Sequence, residues 1–359
     1  MNIFQSVPKI KEIHLGGGTP TFFSPENLKR LIEGITSTAN SCNNVEFGFE
    51  AHPNNTTTAH LETLYNLGFR RLSLGIQDFD PKVQNIINRI QSFGDVERVT
   101  DTARSIGYTS VNYDLIYGLP FQTKKCIIDT IDKVNLLKPE RIAFYSYAHV
   151  PWIKGVGQRK FSEKDLPRDV EKRTLYETGR KMLQDSGYHE IGMDHFALET
   201  DLLYKAAVNK TLHRNFMGYT PFYTQLLIGL GVSSISDTWY GFAQNAKVVE
   251  QYSEIINSGR LPIFRGHLLT EEDLIVRKHI LNIMCNYETS WAASREQHPA
   301  LFKGLKRLKE IESDKLISIT PYNLKVLENG KPFLRNICMA LDARLSRKET
   351  KVKLFSDVI

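Results

Sequence analysis

The sequence predicts an α/β protein: a parallel sheet, closed or partly closed as a barrel, followed by a helical module with two short strands. Three observations predict it. Over residues 11–150, short β-type runs alternate with helical ones at about thirty residues per unit, the size of a βα crossover. The strands divide into a bulky apolar face and a small polar one. Polar and acidic residues recur at the C-terminal end of successive strands, the edge where parallel α/β folds carry their sites.

The expected strands are Glu12–Leu15, Val45–Glu50, Arg71–Gln77, Val111–Ile116 and Arg141–Tyr147. A first helix opens at Ser24–Pro25, an N-cap followed by proline at the first helical position, and runs into Leu28, Leu31 and Ile32. Asp80–Pro81 repeats the device before Val83, Ile86, Ile87 and Ile90, in a helix that Arg89 ends. Gly68 and Gly107 follow helical stretches where a left-handed residue is wanted. In the second strand Val45, Phe47 and Phe49 oppose Glu46, Gly48 and Glu50. In the third, Leu72, Leu74 and Ile76 oppose Ser73, Gly75 and Gln77; in the fourth, Val111 and Tyr113 oppose Asn112 and Asp114. An ordinary barrel lumen is filled by branched apolar side chains. Glycine, serine, glutamate, glutamine and aspartate cannot fill one, so the interior is expected to be roomy, polar and built to hold a ligand.

Beyond residue 165 the alternation loosens. A long helix over Asp169–Asp185 leads to a strand at His189–Gly192, and residues 224–236 form an apolar, turn-rich element. The character changes again after Pro262, which divides the chain into an incomplete barrel with its extension, 1–262, and a C-terminal domain, 263–359. There, helices at Glu271–Cys285 and Ala300–Glu312, strands at Leu316–Thr320 and Leu324–Leu327, and a helix through Phe333–Leu345 resemble a winged-helix module. No dense Lys/Arg stripe marks a groove-entering helix, so nucleic acid is not the expected partner.

Composition narrows the function. With 46 basic and 40 acidic residues the net charge is +6, a mild excess that reads first as a solvated surface and otherwise suits a polyanionic ligand, either a nucleic acid or a small polycarboxylate. No apolar stretch approaches the ~20 residues that cross a bilayer, and the N-terminus lacks the apolar centre of a secretory signal, so a cytoplasmic protein is expected. Cys42, Cys126, Cys285 and Cys338 are scattered, without CxxC or CxxxCxxC spacing. They form neither a disulfide framework nor a local cluster site.

Gly16-Gly17-Gly18-Thr19-Pro20-Thr21 follows the first strand. Three glycines bring backbone amides close to a ligand, yet neither a P-loop lysine nor dinucleotide spacing follows. A tight turn alone would need one glycine. Glu50 and Asp114 suit either acid–base work or the hydroxyls and amine of a nucleotide-like ligand, and the second reading is favoured. Arg89 is a solvated charge or a carboxylate partner. His149, His195 and His213 are too dispersed to ligate a metal and are read as hydrogen-bonded structural residues.

The segments LGGGTPT, FEAHP, LSLGIQDF, VNYDLIYGLP, SYAHVP, GMDHFA, LHRNFMGY, GLGVSSIS, LRNICMALD and the closing FSDVI stand in the order found in oxygen-independent coproporphyrinogen III oxidases, which the whole chain resembles. The related haem-chaperone branch usually places tryptophan after the tyrosine matching Tyr219; here Thr220 follows, which favours the oxidase. The resemblance implies a (β/α)₆-type partial barrel with a C-terminal helical domain, in a radical-SAM enzyme of haem biosynthesis. By position, Gly17 and Glu50 match contacts to one S-adenosylmethionine. Gly18, Thr19, Gln77, Arg89, Asp114, Ala148 and Ile235 match contacts to a second. In that family a reduced [4Fe–4S] cluster cleaves S-adenosylmethionine to a 5′-deoxyadenosyl radical. Two propionates of coproporphyrinogen III then lose carbon dioxide and become vinyl groups, giving protoporphyrinogen IX. An electron donor and a monomeric state are part of the expectation.

One departure bears on chemistry. The family holds its cluster with CxxxCxxC after the first barrel strand, and this chain begins just before what matches the second. The scattered cysteines do not supply that loop. Three expectations follow: a truncated or misstarted version of an ordinary enzyme, one half of a split enzyme, or a cluster-free porphyrin- or haem-binding, chaperone-like relative. On any of them the 359 residues alone are expected to be inactive.

Overall fold

The computed structural model describes residues 6–149 and 161–347. The closing FSDVI and the last two residues of SYAHVP lie outside them. The chain opens with five strand–helix units: β1 (Lys9–Leu15), α1 (Pro25–Thr36), β2 (Asn40–Ala51), α2 (Thr58–Asn66), β3 (Phe69–Gln77), α3 (Pro81–Ile86), α4 (Phe93–Ile106), β4 (Ser110–Tyr117), α5 (Lys124–Leu137) and β5 (Arg141–Ser146). Then come α6 (Asp169–Asp185), β6 (His189–Ile191) and β7 (His195–Ala197). All seven strands form one sheet in the order β1-β2-β3-β4-β5-β7-β6, parallel through β5 and antiparallel at β7 and β6. Among the described residues the sheet is not closed; β1 and β6 are its edges.

Local signals explain the elements. The Ser24 hydroxyl accepts from the Asn27 amide ahead of Pro25, and Asp80 caps α3 by accepting from the amides of Lys82 and Val83. Gly107, at φ 115°, ends α4 in the left-handed region. Alternation sorts the strands as expected. Phe47, Phe49, Leu72, Leu74, Ile76, Val111 and Tyr113 enter one core between sheet and helices, with Leu28, Ile32, Leu64, Val99 and Ile131 opposite. Glu46, Ser73 and Asn112 are buried on the other face.

One helix is shorter than expected. α3 stops at Ile86, Ile90 stands 66% exposed, and Asn88 at φ 55° reverses the chain. Arg89 therefore does not end a helix; it lies on the returning loop and turns back toward the sheet.

Past β7, α7 (Leu202–Val208) leads to a hairpin of β8 (His213–Asn215) and β9 (Gly218–Thr220). A second antiparallel sheet joins β10 (Ile235–Asp237), β11 (Gly241–Asn245) and, after α8 (Val249–Asn257), β12 (Ile263–Leu268). The apolar stretch 224–236 is largely irregular; Leu227 bridges to Asp237. The C-terminal part holds α9 (Glu271–Asn286), β13 (Glu288–Ser290), α10 (Pro299–Arg307), α11 (Lys309–Ser313), β14 (Ile317–Ile319), β15 (Asn323–Val326), α12 (Leu334–Leu341) and α13 (Ala343–Arg347). It adds a strand to the expected pattern, giving the three-stranded order β13-β15-β14, and breaks two expected helices in two. Its core is separate: Ile283, Trp291, Leu301, Ile317, Leu324 and Ile337.

Candidate active site at the strand ends

The polar face of the parallel sheet is arranged in two tiers. At its base, Arg71 meets Glu46 at 2.8 Å and Glu12 at 3.7 Å, while Arg141 meets Glu46 at 3.6 Å and Asp201 at 2.6 Å. Register explains the grouping, because Glu12 pairs with Glu46 across the first two strands and Gly48 with Arg71 across the next. These side chains are largely or fully buried. Each would be costly alone, and they persist because they neutralise one another. Burial lifts the Glu12 carboxyl above its usual range, with Arg71 opposing. This tier closes the floor of the lumen.

Further along the strands, toward their C-terminal ends, the character changes. Glu50 receives His14 Nε2 at 3.2 Å and the Gly17 amide at 3.3 Å, and the His14 contact helps hold its carboxyl below the usual range. Asp114 accepts from Ser73 Oγ at 3.1 Å and Asn112 Nδ2 at 2.9 Å. Burial nevertheless pushes its carboxyl up to about 6, with the Glu50 charge adding to the rise and Arg89 opposing it. Arg89 Nε donates to the Gly75 carbonyl at 2.9 Å, and a Cβ at Gly75 would sit 2.5 Å from Arg89 Nη2. Glycine is what allows the guanidinium to cross the strand there. Gln77 ends β3 in the left-handed region at φ 65°, and its buried Oε1 has no hydrogen-bond partner. Gly17 and Gly18, at φ 81° and 78°, are exposed beside Glu50, a conformation that side chains resist.

The structure thus brings together Gly17 and Glu50, and joins Arg89, Gln77 and Asp114 around Gly75 and β4. Thr19 is half-buried where the glycine loop enters a 3₁₀ turn, and Ala148 is exposed just beyond β5. Ile235 opens β10 in the second sheet. Sequence reasoning placed Ser73 and Asn112 on the polar face without giving them a role, and it missed His14, which its pairing with Gly48 sets beside Glu50. His195 fits its structural reading: Nδ1 bonds the Met193 carbonyl at 2.8 Å, and burial lowers the ring to about 4. His213 is buried against the Tyr223 ring.

This arrangement suits a nucleoside-like ligand carrying an amine and hydroxyls. Glu50 and Asp114 accept hydrogen bonds, Gln77 offers an unused acceptor, and the Gly17–Gly18 backbone leaves room for close approach. A metal cluster is not accommodated in the same way. Among the described residues no three His, Cys, Asp or Glu side chains are grouped to hold a metal ion. All four cysteines are free. Burial raises the thiols of Cys126, Cys285 and Cys338, the last two to about 12.

Comparison with known proteins agrees with this geometry. The profile of the Radical SAM superfamily matches residues 2–134. An oxygen-independent coproporphyrinogen III oxidase of Helicobacter pylori is 37% identical over 350 residues, 96% of this chain and 76% of that protein. The corresponding Escherichia coli enzyme is 36% identical over 355 residues, 98% of this chain and 77% of its own. The solved structure of the Escherichia coli coproporphyrinogen III oxidase, a radical-SAM enzyme, superimposes with a TM-score of 0.89 at 35% identity, covering 94% of this chain and 79% of that one. The chain belongs to the oxygen-independent coproporphyrinogen III oxidases, radical-SAM oxidoreductases of haem biosynthesis whose cofactors are S-adenosylmethionine and a [4Fe–4S] cluster.

Proposed function

We propose that this chain, as a member of that family, serves the oxygen-independent oxidative decarboxylation of two coproporphyrinogen III propionates, giving protoporphyrinogen IX. Its own residues provide the S-adenosylmethionine lumen. The observation that carries the reading is the pair of carboxylates, Glu50 on β2 and Asp114 on β4, either side of β3 on the polar face of a parallel sheet whose ligand edge they share.

In this reading Glu50 and the Gly17 amide hold one S-adenosylmethionine. Gly18, Thr19, Gln77, Arg89, Asp114, Ala148 and Ile235 hold a second. Glu50, kept ionised by His14, attracts a positively charged amine or sulfonium. Asp114, oriented by Ser73 and Asn112, accepts from hydroxyls. Gln77 Oε1 gains the donor it lacks. When bound, S-adenosylmethionine supplies the 5′-deoxyadenosyl group by which hydrogen is taken from a propionate. The helix-facing core keeps water from the rear of the sheet. The two main cores support a division near 262/263, although β12 pairs back onto β11 across it and Cys285 packs with Ile191, Leu203 and Tyr219. The protein is in this reading a cytoplasmic monomer without a nucleic-acid or membrane partner; no helix among the described residues is long and apolar enough to cross a membrane.

The cysteine arrangement supports the further reading that these 359 residues on their own do not turn over, because cluster iron needs thiolates brought together. One preparation tests both readings. Equilibrium dialysis should show S-adenosylmethionine bound by the cluster-free protein, and Glu50→Gln should weaken it at least tenfold. Unchanged affinity in that variant removes the assignment. After anaerobic reconstitution, iron analysis of the same protein should find far fewer than the four irons per chain of a filled cluster. Stoichiometric iron with absorbance near 400 nm would show that the chain suffices.

A further inference from the structure

Arg214, on β8, carries a charge that the protein leaves unanswered. Its Nη1 is buried without a hydrogen-bond partner, and among the described residues no carboxylate lies within ion-pair distance of it. The nearby carboxylate, Asp194, pairs instead with Arg335 at 3.6 Å, while Arg214 acts on it only from further away. A guanidinium presents five donors in a planar fork, and leaving one buried and unbonded is costly. What would satisfy it is a planar anion, above all a carboxylate, bound through two parallel hydrogen bonds.

The surroundings narrow the class of anion. The Arg214 guanidinium lies 4.5 Å from the centroid of the Tyr219 ring. Tyr219 packs edge-on against His195 at 5.2 Å, and His195 against Tyr145 at 5.5 Å. The Tyr145 hydroxyl bonds His195 Nε2 at 3.2 Å. Tyr145 occupies the polar face of β5, two residues beyond the Ala143 that pairs with Asp114, and it feels the charges of Asp114, Glu50 and Arg214 together. A run of aromatic rings, uncharged near neutral pH, thus leads from the two acceptor carboxylates to an unpaired cation. Glu50 and Asp114 repel carboxylates, so an acid group entering the lumen is directed to the far end of this run.

We propose that Arg214 binds a propionate of the tetrapyrrole substrate, with the Tyr145–His195–Tyr219 rings beside the macrocycle. The inference rests on the substrate reading above. S-adenosylmethionine also carries a carboxylate, but one cation, Arg89, already stands at its assigned residues, whereas Arg214 stands beyond the rings. Nothing in the chemistry at Arg214 requires the cluster.

The test uses coproporphyrin III, the stable oxidised tetracarboxylate, with its tetramethyl ester and S-adenosylmethionine as the other two probes. Binding of each is measured on wild type and Arg214→Gln, by fluorescence for the porphyrins and by dialysis for S-adenosylmethionine. The glutamine variant should bind coproporphyrin III about ten- to a hundredfold more weakly, as expected for a lost charge-assisted pair, while the other two affinities stay within twofold. Should that variant not fold, Arg214→Met, whose unbranched chain keeps contact with Tyr219, carries the same expectation. Unchanged coproporphyrin III affinity overturns the proposal, and so does equal weakening of acid and ester, which marks a packing effect. Weakening of S-adenosylmethionine alone reassigns Arg214 to the cofactor. Wild-type protein that binds S-adenosylmethionine but no coproporphyrin III overturns the substrate reading together with this inference.

Discussion

The floor of the lumen and its rim are both built of polar and charged residues, most of them on one face of the parallel sheet, yet they behave differently. On the floor, Glu12, Glu46, Arg71, Arg141 and Asp201 answer one another. At the rim, Glu50 and Asp114 accept bonds from neighbours, Gln77 keeps an idle acceptor, and Arg214 keeps an idle donor. Buried polarity therefore does not mark a site by itself. Polarity left unsatisfied points to one only where it gathers beside the ligand edge, since Glu46, Arg71, Gln91, Asn135, Asn286 and Asn336 also carry buried atoms without a hydrogen-bond partner.

The comparison can be broken most forcefully on the floor. Arg141→Leu strips the cationic partner from buried Asp201 and one of two from Glu46, and should destabilise the protein by about 3–5 kcal/mol. Denaturant midpoints check this; a loss below about 1 kcal/mol would mean the floor is not an obligatory ion network. At the rim the contrast is sharpened by pH. Burial raises the Asp114 carboxyl to about 6, so its contribution to stability is fully present below its unfolded value near 4 and disappears as pH rises through 6. Asp114→Asn removes this dependence. The stability difference between wild type and variant should therefore change across pH 4–6 and level off above it, as read from unfolding midpoints. A flat difference would place the ionisation at the ordinary aspartate value. The smallest effect belongs to Gly75→Ala, whose methyl must displace Arg89. It should weaken S-adenosylmethionine several-fold while leaving the unfolding midpoint within the spread of ordinary surface substitutions. Equal affinity would free Arg89 of any role in holding it.

Part of this organisation is written in residue order. The period-2 split of VEFGFE, LSLGIQ and SVNYD into apolar and polar faces follows from strand geometry alone, and so does the placing of Glu50, Gln77 and Asp114 at one edge. Arg89 shows where such reading fails. Its apolar neighbours continue a helical pattern through Ile90, but the chain reverses at Asn88, and only that reversal carries the guanidinium back over Gly75. His14 was missed for another reason: its pairing with Gly48, which sets it beside Glu50, is a register between two strands and not a property of either.

By itself, then, the sequence determined the alternating α/β architecture, the caps that start its helices, the polar lumen and the scatter of its cysteines. All of these depend on spacing along one chain. The tertiary structure alone decided which polar groups find partners and which are left waiting. It paired Arg71 and Arg141 with carboxylates and left Arg214 beside an aromatic ring. The physical reason is that a buried charge is stabilised by what surrounds it within a few ångströms, and those neighbours lie tens of residues away in sequence.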